Sequence, residues 1–381
     1  MSTLILKSNC WVNLKMTKKL NLVLIFGGRS GEHAVSLRSA QSVLNALDET
    51  KYQVFQVGIT TEGRWLYGSK AHKAFLEGNH ESLTEALILS DEGKPSLYTR
   101  AGNHLKNLAS IDVIFPVLHG TFGEDGTIQG LFEIQNCAYV GAGVLASSAA
   151  MDKAVCKHVM QSIGVPVLEY SVFTRHDIQE NLEQTIEQAE QIAPYPLFVK
   201  PGNLGSSVGI SKARNREALE KALKLAARYD RRVLVERGIA PREIEISVLG
   251  NTEVQCTVPG EIVPGDEFYT YKDKYQSGDP EVAIPAPLPA GQTTQLQQYA
   301  IDAFKAIDGA GLARVDFLID KVTGEAYFNE INTMPGFTQI SMYPKLWLHS
   351  GLSYPELVNR LVELALERKA EQDETIRKYE E

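Results

Sequence analysis

The feature that most constrains this chain is a pair of short apolar runs near its C-terminal end. "LARVDFLID" (312–320) and "EAYFNEIN" (325–332) are separated only by "KVTG", which ends in glycine. That spacing predicts a β-hairpin. Strand side chains alternate between faces, so Val315, Phe317 and Ile319 share one face and Arg314, Asp316 and Leu318 the other. On the partner strand Glu330 and Asn332 share a face. Centring the hairpin on its turn sets Arg314 opposite Glu330, with Asp316 a diagonal neighbour within side-chain reach. Two carboxylates and a carboxamide oxygen then converge beside a guanidinium. Hard oxygen donors of this kind suit Mg²⁺, or Mn²⁺, held jointly with phosphate oxygens. The same residues also fit a hairpin with one solvated, salt-bridged face. Four of them in register, followed at once by a Thr-Met-Pro-Gly turn, favour the metal site.

At 381 residues the chain exceeds one ordinary core and suggests two or three domains. "LNLVLIFGGRSGEHAVSLRSAQSVLNAL" (20–47) reads as an apolar strand, a Gly-Gly turn and a helix, the opening of an open α/β sheet. "YQVFQVGIT", "IDVIFPVL" and "AYVGAG" read as further strands, so residues 17–145 form an N-terminal α/β domain with an open parallel sheet. Residues 146–235 form a second, smaller domain. It holds a helix over "SSAAMDKAVCKHVMQSIG", a strand in "VPVLEYSVF", a polar helix at about 178–192, a strand–loop–strand in "PLFVKPGNLGSSVGISKA", an amphipathic helix and the strand "RVLVERGI". Residues 236–381 carry the remaining strands, the hairpin, and helices near 291–308 and 352–371. Residues 1–16 precede the folded pattern and read as a disordered extension.

Composition excludes several classes. With 44% hydrophobic and 22% charged residues the chain is globular and soluble. A net charge of -9 argues against a nucleic-acid partner. No apolar run reaches the roughly 18 residues of a membrane helix, so no membrane partner is expected. Cys10, Cys137, Cys156 and Cys256 are far apart, without metal-type spacing, and read as reduced thiols of a cytoplasmic protein.

A nucleotide has a place to sit. "FVKPGNLGSSVGI" puts Lys200 at the end of an apolar strand, followed by Gly202, Gly205 and Gly209 with Ser206 and Ser207. Glycines let backbone N–H groups approach phosphate oxygens, and serine hydroxyls add donors. A glycine-rich hairpin with no ligand has the same composition. "VLVERGIAPREIEISVLG" is a strand passing directly into a linker, whose backbone can bond an adenine edge, with Glu243 beyond it for ribose hydroxyls.

In this order the pieces resemble the ATP-grasp ligases, and within them the D-alanine–D-alanine ligase family. "HGTFGEDGTIQG" (119–130) and "GLARVDFLIDKVTGEAYFNEINTMPG" (311–336) look like that family's two signatures, although Phe328 stands where an aliphatic residue is more usual. "FGGRSGEHAVSL", "MDK" and "FYTYKDKYQSGD" match as well, and the resemblance runs from about residue 19 to 370. It implies a three-domain ATP-grasp architecture with ATP between the central and C-terminal domains, D-alanine as substrate, two Mg²⁺ (or Mn²⁺), and a homodimer. Carried over by motif, Lys153 and Lys200 contact nucleotide phosphates with Ser206 and Ser207. Glu236, Arg237 and Ile239 meet the adenine, Glu243 the ribose, and Lys274 the γ-phosphate, with Asn329 on the nucleotide side. Arg237 occupies a place where a lysine is also found. Asp316, Glu330 and Asn332 hold the metals.

The resemblance also implies a mechanism. One substrate carboxylate becomes an acyl phosphate and an amine displaces the phosphate. Arg314 and the backbone N–H of Gly336 face the oxyanion. Glu32 holds the first substrate's ammonium, supported by His119, and joins Ser206 and Tyr275 in a hydrogen-bonded trio. Ser341 and the Met342 backbone hold the second substrate's carboxylate. A non-catalytic regulator of the same fold would have lost a ligand or a phosphate lysine, and none is missing. Glu32 argues against an unrelated carboxylate–amine ligase. Tyr275 argues against D-lactate as the second substrate.

Overall fold

The structure is a computed structural model that describes residues 18–205, 208–263 and 281–377. The expected extension at 1–16 lies outside the described residues, as do Ser206, Ser207, Lys274 and Tyr275.

The first sheet is built on β1 (Leu20–Gly27), which lies between β2 (Tyr52–Ile59) and β7 (Val113–Val117) and is parallel to both. Leu22, Leu24 and Phe26 enter one core while Val23 and Ile25 enter another. Burial on both faces is why β1 reads as an unbroken apolar run. Gly27 and Gly28 follow with φ of +89° and +103°, and a Cβ on Gly27 would lie 2.3 Å from the Ile59 carbonyl oxygen. Only glycine lets the chain turn there into α1 (His33–Ala46).

The sheet is not wholly parallel. Beyond β2 it continues antiparallel through β3 (Trp65–Tyr67), β4 (Thr84–Asp91), β5 (Lys94–Ala101) and β6 (His104–Ser110). Sequence reading missed this meander because its strands are only partly buried. Its β4–β5 turn is Glu92-Gly93, both at positive φ, rather than the more telling Asn-Gly. "AYVGAG" contributes only an isolated bridge from Tyr139 to Ile114. The short α2 (Ala71–Leu76) and α3 (Thr127–Ile134) flank this sheet.

The helix expected over 147–164 is two helices, α4 (Val144–Met151) and α5 (Lys153–Ser162). Asp152 breaks them: its backbone is extended and its carboxylate accepts from the N–H groups of Ala154 and Val155, capping α5. The second sheet has the order β10 (Ser211–Ala213), β9 (Leu197–Pro201), β11 (Arg232–Arg237), β8 (Tyr170–Thr174), all antiparallel. The polar helix at 178–192 is likewise split, into α6 (Arg175–Glu180) and α7 (Leu182–Glu190) at Asn181. With α8 (Arg216–Tyr229) these helices cover the sheet face carrying Leu197, Val199, Val233 and Val235. By alternation Lys200, Leu234 and Glu236 take the opposite face.

The third sheet runs β15 (Glu281–Ala283), β14 (Gly260–Val263), β12 (Pro241–Gly250), β16 (Gly311–Asp320), β17 (Ala326–Asn332), with β13 (Val254–Cys256) also on β12. α4, α5 and α9 (Ala290–Ala306) bury one of its faces. α10 (Met342–His349) and α11 (Tyr354–Asp373) join β1, Leu249 and Leu312 in the largest core, so the first and third sheets share an interior.

The predicted hairpin forms, with "KVTG" as its loop, but its register differs from the expectation. Asp316 lies directly opposite Glu330, and Arg314 opposite Asn332. The turn closes one residue beyond the assumed centre, and a β-bulge between Asp316 and Phe317 adds another. Phe317 pairs with Phe328, leaving Asn329 as the extra residue. Phe328 and Ile331, three apart, therefore both enter the core, while Asn329 and Glu330 between them stay on the polar side. Phe328, the departure from the family pattern, packs edge-on against Phe317 on the apolar face, away from the metal candidates.

Arg368 on α11 links the shared interior to the chain after β7. Its guanidinium lies 4.1 Å from the centre of the Tyr139 ring and donates to the Gly141 carbonyl at 2.5 Å. Arg368→Ala removes a cation–π contact and a charged hydrogen bond, together about 1–3 kcal/mol. The urea midpoint is expected to fall without a change in the slope of the unfolding transition.

Candidate active site

The hairpin's polar face, the chain after β7, the start of α1 and the start of α10 surround a cleft of about 390 Å³. It gathers Glu32, His119, Lys153, Arg314, Glu330, Asn332, Gly336, Ser341 and Met342, residues singled out in five separate stretches of sequence. Glu243, Asp316 and Asn329 line a smaller adjoining pocket that shares Arg314 and Glu330 with it.

Arg314 is the centre of charge on the hairpin face. Its Nε and Nη2 each donate to Asp316 at 2.7 Å, and Nε lies 3.0 Å from Glu245. The Asn332 amide donates to Asp316 at 3.0 Å. Lys153 at the start of α5 donates to the Leu204 carbonyl at 2.7 Å and sits 3.5 Å from Glu330. Lys200 bonds Asn329 at 3.4 Å and is paired with Glu236. The predicted phosphate lysines thus reach the hairpin from two different elements.

Asp316, Glu330 and the Asn332 side-chain oxygen are hard donors, two of them directly opposed across the hairpin. This set fits Mg²⁺ or Mn²⁺ completed by phosphate and water oxygens. Among the described residues no cluster of three or more His, Cys, Asp or Glu could hold a metal ion.

Glu32 lies where two backbones make room for it. A Cβ on Gly120 would fall 2.3 Å from its Oε2, and one on Gly205 would fall 3.2 Å away. Gly120 also has φ of +71°. Its carboxylate is therefore seated between the chain after β7 and the glycine-rich loop after β9.

His119, expected beside the substrate ammonium, is 3% exposed and has both ring nitrogens engaged. Nδ1 meets the Met334 carbonyl at 2.9 Å and Nε2 meets Ser39 Oγ at 2.9 Å. A carbonyl can only accept, so Nδ1 carries the proton and Ser39 donates to Nε2. Burial lowers the His119 pKa, consistent with the neutral ring. Ser39 Oγ in turn accepts from the Phe337 N–H at 3.3 Å. The turn carrying Gly336 is held at both ends by the first domain.

Sequence reading passed over Glu124, which completes this grip. Its carboxylate accepts from the Gly120 N–H at 2.8 Å and the Met334 N–H at 3.1 Å. It also passed over Lys157, treated below, and Glu245 as a partner of Arg314. Glu124 stands inside "HGTFGEDG", and that motif was the available signal.

Ser341 Oγ accepts from the Thr338 N–H at 3.2 Å and lies 3.1 Å from where a Gly336 Cβ would be, so the turn and the start of α10 are packed together. Glu236 is not a cleft residue. Its carboxyl is buried between Lys157 and Lys200. Arg237 donates to Glu169 at 2.6 Å and stacks over Tyr327, and Ile239 is half-buried in the linker that follows.

The family models described as D-ala D-ala ligase N-terminus and D-ala D-ala ligase C-terminus match residues 21–142 and 159–363. The chain belongs to the D-alanine–D-alanine ligase family. It is 51% identical to the D-alanine–D-alanine ligase of Heliobacterium modesticaldum, over 93% of this chain and 96% of that protein. The Bacillus cytotoxicus enzyme of the same name is 47% identical over 93% and 97%. Among solved structures, the D-alanine–D-alanine ligase of Coxiella burnetii aligns with a TM-score of 0.79 at 37% identity, covering 93% of this chain and 96% of that one. The VanG D-Ala:D-Ser ligase of Enterococcus faecalis aligns with a TM-score of 0.81 at 32% identity, covering 91% and 100%. These folds are ATP-grasp folds, as expected.

Glu124 generates a prediction. Burial, then the neighbouring Glu32, push its carboxyl up to about 8 against the opposing N–H bonds and Arg314. Between its ordinary value near 4.5 and about 8 the folded state holds a proton that the unfolded chain has released. Stability therefore falls as pH rises through that window, by at most about 1.4 kcal/mol per unit. The residue is half-buried at the edge of the cleft, so the measured slope will be smaller. In Glu124→Gln this component is absent. Urea titrations at pH 5, 6.5 and 8 should show the wild type losing stability relative to the variant as pH rises. A gap independent of pH contradicts the assignment.

Proposed function

We propose that this protein joins two D-alanine molecules into D-alanyl-D-alanine at the expense of ATP, forming ADP and phosphate, for peptidoglycan precursor synthesis. The observation that carries the reading is the cleft itself. It brings Glu32 into one cleft with Arg314, Lys153, Glu330, Asn332 and the Gly336 turn, which supports reading Glu32 as the ammonium seat and the hairpin face as the phosphate and metal side.

On this reading the first D-alanine lies with its ammonium on Glu32 and its carboxylate toward the hairpin. That carboxylate attacks the γ-phosphorus of ATP, giving an acyl phosphate and ADP. Such transfer depends on positioning and charge neutralisation more than on covalent catalysis by the protein. Lys153 and Lys200 hold phosphate oxygens, joined by Lys274 and the serines at 206 and 207. Glu236 to Ile239 receive the adenine through backbone groups, and Glu243 takes the ribose. Asp316, Glu330 and Asn332 would hold two Mg²⁺ or Mn²⁺ ions, which neutralise phosphate charge when bound.

The second D-alanine rests its carboxylate on Ser341 and the Met342 N–H at the start of α10, where the helix end favours an anion. Its free amine attacks the acyl carbonyl. Arg314 and the Gly336 N–H receive the developing oxyanion, the acyl C–O bond to phosphate breaks as the amide forms, and the proton lost by the amine leaves with the phosphate as HPO4²⁻. The turn gripped by His119, Ser39 and Glu124 fixes that N–H in space. Tyr275, with Ser206 and Glu32, orders the second-substrate side.

We place the enzyme in the cytoplasm, where its ATP is available, and read it as a homodimer, which sedimentation would test. No helix among the described residues is long and apolar enough to cross a membrane.

Fold likeness does not choose the second substrate, because the D-Ala:D-Ser ligase aligns as well as the D-alanine–D-alanine ligase. Product analysis does. The purified protein, given ATP, Mg²⁺ and D-alanine with D-serine or D-lactate in competition, is expected to form D-alanyl-D-alanine as its main product and nothing from L-alanine. Predominant D-alanyl-D-serine or depsipeptide, or no ATP-dependent product, overturns the reading. Glu330→Gln, which removes an anionic metal ligand, is expected to lower kcat by about two or more orders of magnitude with little change in melting temperature. A folded variant of near-full activity removes Glu330 from the metal site.

A further inference from the structure

α5 carries two lysines one turn apart, and the mechanism uses only the first. Lys157 follows Lys153 by four residues and so shares its helix face. It is 1% exposed. Its ammonium lies 3.0 Å from Glu236 Oε2, and the other oxygen of that 2%-exposed carboxylate holds Lys200. The face of the Tyr170 ring stands 5.8 Å from the ammonium. Among the described residues no second carboxylate is paired with Lys157.

A buried lysine is costly to keep charged, and here a second cation stands on the same carboxylate. The trio has one more positive than negative charge, so it is not matched for stability alone. Its arrangement matches a different need. On the reading above, Lys200 serves the nucleotide phosphates. With Lys200 as its only partner, Glu236 would become an uncompensated buried anion whenever Lys200 turned to a phosphate. With Lys157 fixed beside it, Glu236 keeps a cation, and the repulsion between the lysines favours moving Lys200 outward.

We propose that Lys157 is a positioning residue for nucleotide binding. It neutralises Glu236 from the protein side and so releases Lys200 to the phosphates. The proposal rests on the assignment of Lys200 to the nucleotide. Burial would by itself raise the Glu236 pKa, yet Lys157 and Lys200 together hold it at about 2, so the carboxylate is a fixed charge that always requires a partner. Burial, and then the neighbouring Lys200, lower the Lys157 pKa against the pull of Glu236, so the contact with Glu236 is what opposes loss of its charge.

The test is steady-state kinetics with ATP and D-alanine varied separately, together with calorimetric ATP binding and melting temperatures. Four proteins are compared: wild type, Lys157→Met, Lys157→Met/Glu236→Gln and Lys200→Met. Lys157→Met is expected to raise KM and Kd for ATP roughly tenfold or more while KM for D-alanine stays within about twofold, because Glu236 now retains Lys200. Removing the carboxylate as well should recover most of the lost ATP affinity, a rescue that a packing defect would not show. An unchanged ATP KM in Lys157→Met overturns the proposal, as does a folded double variant no better than the single. Should the Met variant not fold, Lys157→Gln keeps a donor to Glu236 without charge. A raised ATP KM there supports the proposal and an unchanged one overturns it. Lys200→Met separates the two levels. If it leaves ATP affinity intact, the phosphate role of Lys200 fails and the proposal with it. If it weakens ATP while Lys157→Met does not, only the proposal fails.

Discussion

The active face of this protein depends on one extra residue in β17. Strand alternation would send Asn329 and Glu330 to opposite sides of the sheet. The bulge opposite Asp316 and Phe317 lets both remain on the polar side while Phe328 and Ile331 close the core beneath them. Glu330 then lies directly across from Asp316, and Asn329 projects to Lys200. Two carboxylates held directly opposite repel each other unless cations stand between or beside them. Arg314 and Lys153 do so from the protein side, at Asp316 and Glu330 respectively.

The same strand ends in a turn whose position is set by another domain. His119 and Glu124 bond the carbonyl and the N–H of Met334, and Ser39 bonds the N–H of Phe337. The first and third sheets also share the core formed with α11. An N–H that must meet an oxyanion tolerates little displacement. Anchoring the turn to groups from the first domain, which also bears Glu32, places Glu32 and the Gly336 turn in one frame. His119 lines the cleft with both ring nitrogens already bonded within this frame.

The parts legible in sequence were those whose signal is local. The hairpin, the Gly-Gly turn into α1 and the pairing of Val315, Phe317 and Ile319 on one face follow from periodicity and turn chemistry. The candidate chemistry was legible because a charged side chain on an otherwise apolar strand is costly to bury without a partner. What was not legible depends on long-range accommodation. A bulge leaves no compositional mark, so the register of Asp316 and Glu330 came out two residues adrift, on the correct face but with the wrong partner. The β3–β6 meander has too little burial to produce strong alternation. Glu124 and Lys157 look like ordinary charged helix or loop residues until folding encloses them. Asp152 shows the opposite case: an Asp before Lys-Ala-Val is a capping signal, and weighing it would have split α4 from α5.

The buried charges around the cleft follow a common pattern. Burying an ion costs more than a single contact returns unless its partner is close and further hydrogen bonds complete the site. Arg314 meets this condition with Asp316 and Glu245, and Arg232 does so with the α5 cap Asp152 at 2.5 Å. Glu236 has a lysine close to each oxygen, although Oε2 and the Lys157 ammonium make no hydrogen bond. Duplicate partners on one side chain are redundant for stability, and redundancy is what lets one of them be shared with a ligand. A site that must bind and release a highly charged nucleotide needs cations that are paired without it and remain compensated with it. On the reading proposed above, Lys157 on a separate helix supplies that compensation without entering the cleft.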